Sequence, residues 1–293
     1  MSFLQLWCVL EGSVPTEGSL CYNTRIENQC YETCKRRSNE VRTLLSSGIF
    51  RMVVGFALAA AFIGCAAPTA GTRTKKLVAI ADVCKTNGFI SARVTNSDAI
   101  AAAGFLPVLV PSLADTNTVA EIMDRVDALV LTGAIKESDQ AKRNEFDFML
   151  IRMALDRGLP VVGFCRGHQV INRYFGGQIA PIPKDLNPKI VHKGNVSAYI
   201  KDTFHEMEVI PGTRLSRIVK GRHVTINTSH KYHVTKLGKG LKVSARSDDG
   251  VIEALEHETL PVTGFQFHPE RSFRSYPEHL DMIREALDPE ARQ

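Results

Sequence analysis

From Lys75 onward, short apolar runs alternate with longer stretches in which apolar residues recur every three or four positions. The short runs are Leu77 to Ala81, Phe105 to Val110, Ala128 to Leu131 and Pro160 to Phe164. They are rich in β-branched residues, as strands buried on both faces are. Between them the periodicity predicts helices over Asn96 to Gly104, with Asn96 or Ser97 as N-cap, over Thr118 to Val126, and over Ala141 to Asp156, stopped by Gly158. Val170, Ile171, Tyr174 and Phe175 extend the pattern to Gly176-Gly177. Strands alternating with helices predict an α/β fold, a doubly wound and mostly parallel sheet with helices on both faces. The Pro-rich stretch Ile179 to Val209 reads as a loop with irregular short strands. Val224 to Asn227 and Leu241 to Ala245 then read as strands, and Val251 to Leu255 as an edge or meander strand.

Two strand ends carry candidate chemistry. Gly163-Phe-Cys165-Arg-Gly167 is a G-x-C-x-G turn between a buried strand and a helix, the cysteine form of a nucleophile elbow. It sets the sulfur at the first turn of a helix, where unpaired N–H groups and the helix dipole favour a thiolate. Gly133 also follows a strand, and ligands of such sheets bind at the carboxyl ends of strands. Near the C-terminus, Leu260 to Phe267 reads as another buried strand and runs into His268-Pro269-Glu270. Pro269 keeps His268 out of the helical region. In extended chain, residues two apart share a face, so Glu270 can orient the imidazole and the imidazole can serve the thiol. Either motif alone also fits a structural role, a buried cysteine or a surface turn. Together they supply the nucleophile, base and orienter of a Cys165-His268-Glu270 triad.

These residues resemble a known family. PVVGFCRGHQVINRYFGG, INTSH at 226–230, LKVSARSDDGVIEALEH at 241–257 and GFQFHPE at 264–270 are similar to class I glutamine amidotransferase-like proteins. The resemblance is closest to the γ-glutamyl-γ-aminobutyrate hydrolase (peptidase C26) group. It extends from Lys75 to about Leu287, includes AAAGFLPVLVP and DALVLTGA, and leaves the first seventy residues aside. It implies a flavodoxin-like fold of the class I glutamine amidotransferase type and hydrolysis of γ-glutamyl amide bonds through a thioester. It also implies an oxyanion hole of backbone N–H groups from Gly133, Ala134 and Arg166, with Ala134 standing where the family usually has a second glycine. Gln169, Ser229 and His230 are implied on the substrate side. There His230-Lys231-Tyr232 replaces the family's two histidines and a glutamine, and Lys231 adds a cation suited to an acidic substrate. The alternatives are a glutaminase-type amidotransferase and a catalytically idle lipoprotein that binds γ-glutamyl or amino-acid ligands.

Composition alters this picture mainly at the N-terminus. The 293 residues, 44% hydrophobic and 23% charged with a net charge of +5, are ordinary for a globular protein. The interspersed charges leave no nucleic-acid footprint. Four of the seven cysteines, Cys8, Cys21, Cys30 and Cys34, lie before residue 50, and no C-x-x-C pair is present. Met52 to Ala67, MVVGFALAAAFIGCAA, falls short of the roughly 20 residues of a spanning helix and suits a signal h-region behind Arg42 and Arg51. Its Phe62-Ile-Gly-Cys65 resembles a lipobox. The expectation is therefore a non-native or disordered segment over 1–40, with translation starting near Val41 or Met52. A lipoprotein-type signal follows over 41–65, then a tether over 66–74 and a hydrolase domain over 75–290. Lipid on Cys65 would hold the protein at the membrane surface of a bacterial cell envelope; without it the protein would be cytoplasmic. All nine histidines follow Gly167, and their spacings match no metal motif, so no metal or other cofactor is expected. His168 reads as a helix residue, and His192, His205, His223 and His233 read as structural or solvated.

Overall fold

A computed structural model describes residues 75–290, apart from 82–83, 87–88, 92, 113–114, 134–139, 185, 187–188 and 193–202. The expected segments 1–40, 41–65 and 66–74, with Cys65, lie outside the described residues, as does Ala134. No helix among the described residues is long and apolar enough to cross a membrane.

The chain enters on β1 (Leu77–Ala81) and turns through a small hairpin, β2 (Cys84–Thr86) and β3 (Phe89–Ser91), into α1 (Val94–Ala102). It continues as β4 (Leu106–Leu109), α2 (Thr116–Met123), β5 (Ala128–Leu131), α3 (Gln140–Asp156), β6 (Val161–Phe164) and α4 (Arg166–Tyr174). Then come β7 (Gln178–Pro181), β8 (Thr203–Val209), α5 (Leu215–Ile218), β9 (His223–Thr228), β10 (Tyr232–Lys236), β11 (Leu241–Ser247), β12 (Ile252–His257) and β13 (Val262–Phe265). Two helices close the described chain, α6 (Pro269–Ser272) and α7 (Pro277–Leu287).

Among the described residues nine strands form one sheet in the order β4-β1-β5-β6-β13-β12-β11-β8-β9. The first five are mutually parallel, and the remainder pair antiparallel. The period of two in the strands sends side chains to two cores. Val78, Ile80, Val130, Val162 and Phe164 pack with Ile100 of α1 and with Met282 and Ile283 of α7 on one face. Ala79, Leu129, Leu131 and Val161 pack with Met123 of α2, Leu150 and Ile151 of α3, and Val170 and Ile171 of α4 on the other. Each fully buried side chain of this size contributes about 1.5–3 kcal/mol, so the two cores fix the sheet from both sides.

Several expectations need correction. α1 starts at Val94 after the extended, uncapped Arg93, because Asn96 is buried inside the first turn and does not serve as its cap. α2 starts at Thr116, since Asp115 caps it by accepting from the Asn117 N–H at 3.0 Å. The stretch expected to be a loop contains β8, a full strand between β11 and β9; its half-exposed TFHEMEV sequence hides the alternation. Of the two readings for Val251 to Leu255, the meander strand holds and the edge strand does not, since β12 pairs antiparallel with its chain neighbours β11 and β13 inside the sheet.

Candidate active site

The β6–α4 turn sets Cys165 at φ 50°, ψ −99°, and it is the one non-glycine residue with positive φ among the described residues. Such a conformation costs about 1–3 kcal/mol and persists only where its surroundings impose it. Here the Cys165 N–H donates to the Phe265 carbonyl at 2.7 Å, continuing the β6–β13 ladder past the last paired residues, Phe164 and Phe265. The flanking glycines are needed for close approach. A Cβ on Gly163 would lie 2.4 Å from the Gly167 carbonyl carbon, and one on Gly167 would lie 2.1 Å from the Leu131 carbonyl oxygen. Helix α4 therefore begins hard against β5 and β6, with its first-turn N–H groups, Arg166 included, beside the sulfur.

His268 follows β13 at φ −119°, ψ 74°, and Pro269 opens α6. Glu270 stands in the first turn of that helix, not in the extended chain expected, and still meets the ring: His268 Nδ1 lies 2.7 Å from Glu270 Oε1. Nδ1–H donating to the carboxylate leaves Nε2 for the thiol. Burial and the Arg271 guanidinium lower the His268 pKa, but Glu270 and the hydrogen-bonded Cys165 outweigh them and raise it to about 9. Burial raises the Glu270 pKa, and the facing His268 more than reverses this and lowers it. The pair thus sits as carboxylate and imidazolium. Asn227 on β9 fixes the His268 backbone, accepting from its N–H at 3.3 Å.

Gly133, beyond the end of β5, faces the same place. A Cβ there would lie 3.0 Å from His268 Cε1 and 3.8 Å from Cys165 Cβ, so the bare backbone lies against both. Arg143 of α3 holds this turn, donating to Thr132 Oγ1 at 3.2 Å and to the Gly133 carbonyl at 3.3 Å. The buried Arg166 guanidinium ties α4 to α3 through Asp147 and donates to Asn144 Oδ1 at 2.7 Å. Cys165, His268, Glu270 and Gly133 are thus brought together at the carboxyl ends of β5, β6 and β13.

A family model described as peptidase C26 matches residues 71–270. The chain belongs to the peptidase C26 family. A Mycobacterium tuberculosis protein provisionally named a glutamine amidotransferase is 33% identical over 189 residues, which are 58% of this chain and 59% of that protein. One component of the glutamine-hydrolysing GMP synthase from Pyrococcus furiosus is 37% identical over 114 residues, 38% of this chain and 51% of that one. A crystal structure from Thermoplasma acidophilum, provisionally named as a component of GMP synthase, matches with a TM-score of 0.53 at 18% identity, covering 75% of this chain and 98% of that chain, a likeness of fold. This peptidase C26 protein is thus a class I glutamine amidotransferase-like α/β protein, an enzyme of the cysteine hydrolase or amidotransferase type.

The residues expected on the substrate side of the peptidase C26 protein have the following partners. The Gln169 amide NH2 donates to the Tyr232 carbonyl at 3.0 Å and to Gln266 Oε1 at 3.1 Å, so its donors brace α4 against β10 and the end of β13. His230 is buried, with Nδ1 3.0 Å from that same Tyr232 carbonyl and Nε2 3.7 Å from Glu253. Ser229 is partly exposed and Lys231 exposed. Sequence reasoning passed over Arg143 and Asn227, whose roles have no local pattern. It also passed over the meeting of His192, His205 and His230 at Glu253, which one signal announced: a glutamate inside the buried run Val251 to Leu255 must have partners.

Proposed function

We propose that this protein hydrolyses γ-glutamyl amides, releasing glutamate and an amine. The observation that carries the reading is the buried His268, clamped by Glu270 and hydrogen-bonded to the strained Cys165. Glutamine and γ-glutamyl amines share the γ-carboxamide of a glutamyl group, the group that the names of glutamine-hydrolysing relatives imply. The Cys165 thiolate attacks the γ-carbonyl carbon, and the carbonyl π pair moves to oxygen. N–H groups of Arg166 and of the Gly133-Ala134 turn hold that oxyanion. As the C–N bond breaks, His268 gives its Nε2 proton to the departing amine, leaving a thioester and a neutral ring. The ring then takes a proton from water as the hydroxyl adds to the thioester. Collapse breaks the C–S bond, frees glutamate and restores the thiolate and imidazolium.

The test is to incubate the protein with γ-glutamyl amines and with glutamine, and to measure glutamate, amine and ammonia. Turnover of a γ-glutamyl amine by wild type, abolished in Cys165→Ser, is the expected result. Turnover of glutamine alone would favour the second reading, a glutaminase-type amidotransferase, to which the likeness to a GMP synthase component points. Ligand binding by wild type without any turnover would leave a binding protein. We also propose, from the FIGC sequence at 62–65, that the protein is lipid-anchored through Cys65 in a bacterial envelope. Mass spectrometry of the membrane fraction should then find an acylated Cys65 at the mature N-terminus, and unmodified peptides spanning residues 60–70 would refute the anchor.

A further inference from the structure

A second cluster lies outside the Cys165 site. Glu253 of β12 is fully buried, and one of its oxygens, Oε1, is 3.4 Å from His192 Nδ1, 3.6 Å from His205 Nε2 and 3.7 Å from His230 Nε2. The three histidine side chains are also nearly inaccessible, at 4%, 7% and 1% exposure. Among the described residues these three nitrogens and both Glu253 oxygens have no hydrogen-bond partner. The contacts are too long for charge-assisted N–H···O bonds, which run at about 2.7–2.9 Å.

The far side of each ring explains which atoms face inward. His192 Nε2 lies 2.8 Å from Asp249 Oδ2, His205 Nδ1 lies 3.0 Å from the Glu206 carbonyl, and His230 Nδ1 lies 3.0 Å from the Tyr232 carbonyl. All three partners are acceptors, so each of these nitrogens is assigned an N–H, and the other ring nitrogen of each histidine faces the Glu253 carboxylate. The buried Glu253 carboxylate thus has three imidazole nitrogens around it and a hydrogen bond from none of them, and a cation between them would partner these buried polar atoms. The arrangement has the parts of a metal centre: imidazole ligands, each oriented by a carboxylate or carbonyl behind it. The spacings fit as well. Donors bound to zinc at about 2.0–2.1 Å in a tetrahedron lie about 3.3 Å apart. The inward atoms of His192, His205 and Glu253 all fall within 4.8 Å of one another.

We propose that His192, His205 and Glu253 bind a divalent transition-metal ion, zinc being the best match to two imidazoles and one carboxylate, with His230 beside Glu253. His230 would supply a fourth ligand and close the shell, as in structural zinc sites. The site pins the segment before β8, β8 itself, the β9–β10 connection and β12 at one point. The Tyr232 carbonyl that receives His230 also receives Gln169 of α4, which links the metal to the helix that begins at the nucleophile. The sequence spacing hid the site because its ligands lie 13, 25 and 23 residues apart along the chain and meet only through the sheet.

Full-length protein stripped with a chelator, loaded with Zn2+ and desalted is analysed for bound zinc beside His205→Ala and His192→Ala, with circular dichroism to establish folding. Wild type should retain one equivalent more than either variant, since cysteines elsewhere bind zinc equally in all three. Zinc should raise the melting temperature of wild type and not of the variants. Asp249→Asn, which alters the partner behind His192 while Asn can still accept from Ser247 and Val251, should weaken the site on the order of 10–100-fold. Zinc-edge X-ray absorption on wild type needs no variant and should show imidazole nitrogen scattering. Equal zinc content in wild type and the folded histidine variants, or an all-sulfur shell in wild type, overturns the proposal.

Discussion

Replacing Glu270 by Gln keeps the shape of the clamp on His268 and removes its charge. In the wild type the His268 pKa rises from 6.5 to about 9, on the order of 3 kcal/mol in favour of the imidazolium. At pH 7, two units below that value, about 99% of the rings carry the proton. In the variant the neighbouring Cys165 stands alone against burial and Arg271, both of which lower the pKa, and it falls back toward 6.5. A ring titrating near 6.5 would be about a quarter protonated at pH 7, so kcat/KM at pH 7 should drop about fourfold through loss of the proton alone. The fall in kcat/KM on the basic side, where the ring loses the proton owed to the leaving amine, should move down from about 9 by a unit or more. The assay is a pH profile of γ-glutamyl amide cleavage, with an NMR titration of the His268 ring as a readout that needs no substrate. A Glu270→Gln protein with its basic limb and ring pKa unmoved would refute the reasoning. The same shift has a stability side: the folded pKa lies above the unfolded one, so the stabilisation is complete below pH 6.5 and is lost as the pH rises through about 9.

His168 runs the opposite way. It is fully buried, and burial lowers its pKa to about 4 against the smaller opposing effects of the Gly264 backbone and Glu253. Unfolded chains bind its proton near 6.5, so stability should fall by up to about 3 kcal/mol between pH 6.5 and 4, a slope seen in urea midpoints and absent from a folded His168→Phe. Gly167→Ala drives a Cβ to 2.1 Å from the Leu131 carbonyl oxygen and should cost about 3 kcal/mol in denaturant unfolding; a loss under about 0.5 kcal/mol would contradict the packing described. Arg143→Met frees the Thr132-Gly133 turn and should lower kcat about tenfold with little change in KM, as expected for a group acting on the oxyanion site; an unchanged kcat would disprove its positioning role.

The parts of this fold that were legible from the residues are those with local causes. Buried runs such as Ala128 to Leu131 could be placed because both of their faces are covered. The elbow could be placed because only glycines tolerate the approach of α4 to β5 and β6. The His268–Glu270 contact was foreseen, although a helical turn makes it and not an extended chain. What stayed hidden depends on distant chain. β8 mixes Glu206, Glu208 and His205 with apolar residues because one face carries a ring of a buried cluster beside the core residues Met207 and Val209, while Phe204 and Glu206 on the other face are exposed. Gln169 offered a donor of the right kind at the right turn, and only the position of Tyr232 reveals that the donor is occupied.

The placement of β13 bears on when the chain becomes reactive during synthesis. It pairs between β6 and β12, so the strand that carries the base side of the site to Cys165 comes about a hundred residues after the strand that carries the thiol. Closing so long a loop is slow, and its entropic cost is repaid only when β13 docks. A nascent chain on the ribosome that has reached β6 and α4 thus carries a sulfur with no imidazole beside it. On the proposed mechanism the base reaches the thiol only when this last strand docks, so completion of the fold is the activating event.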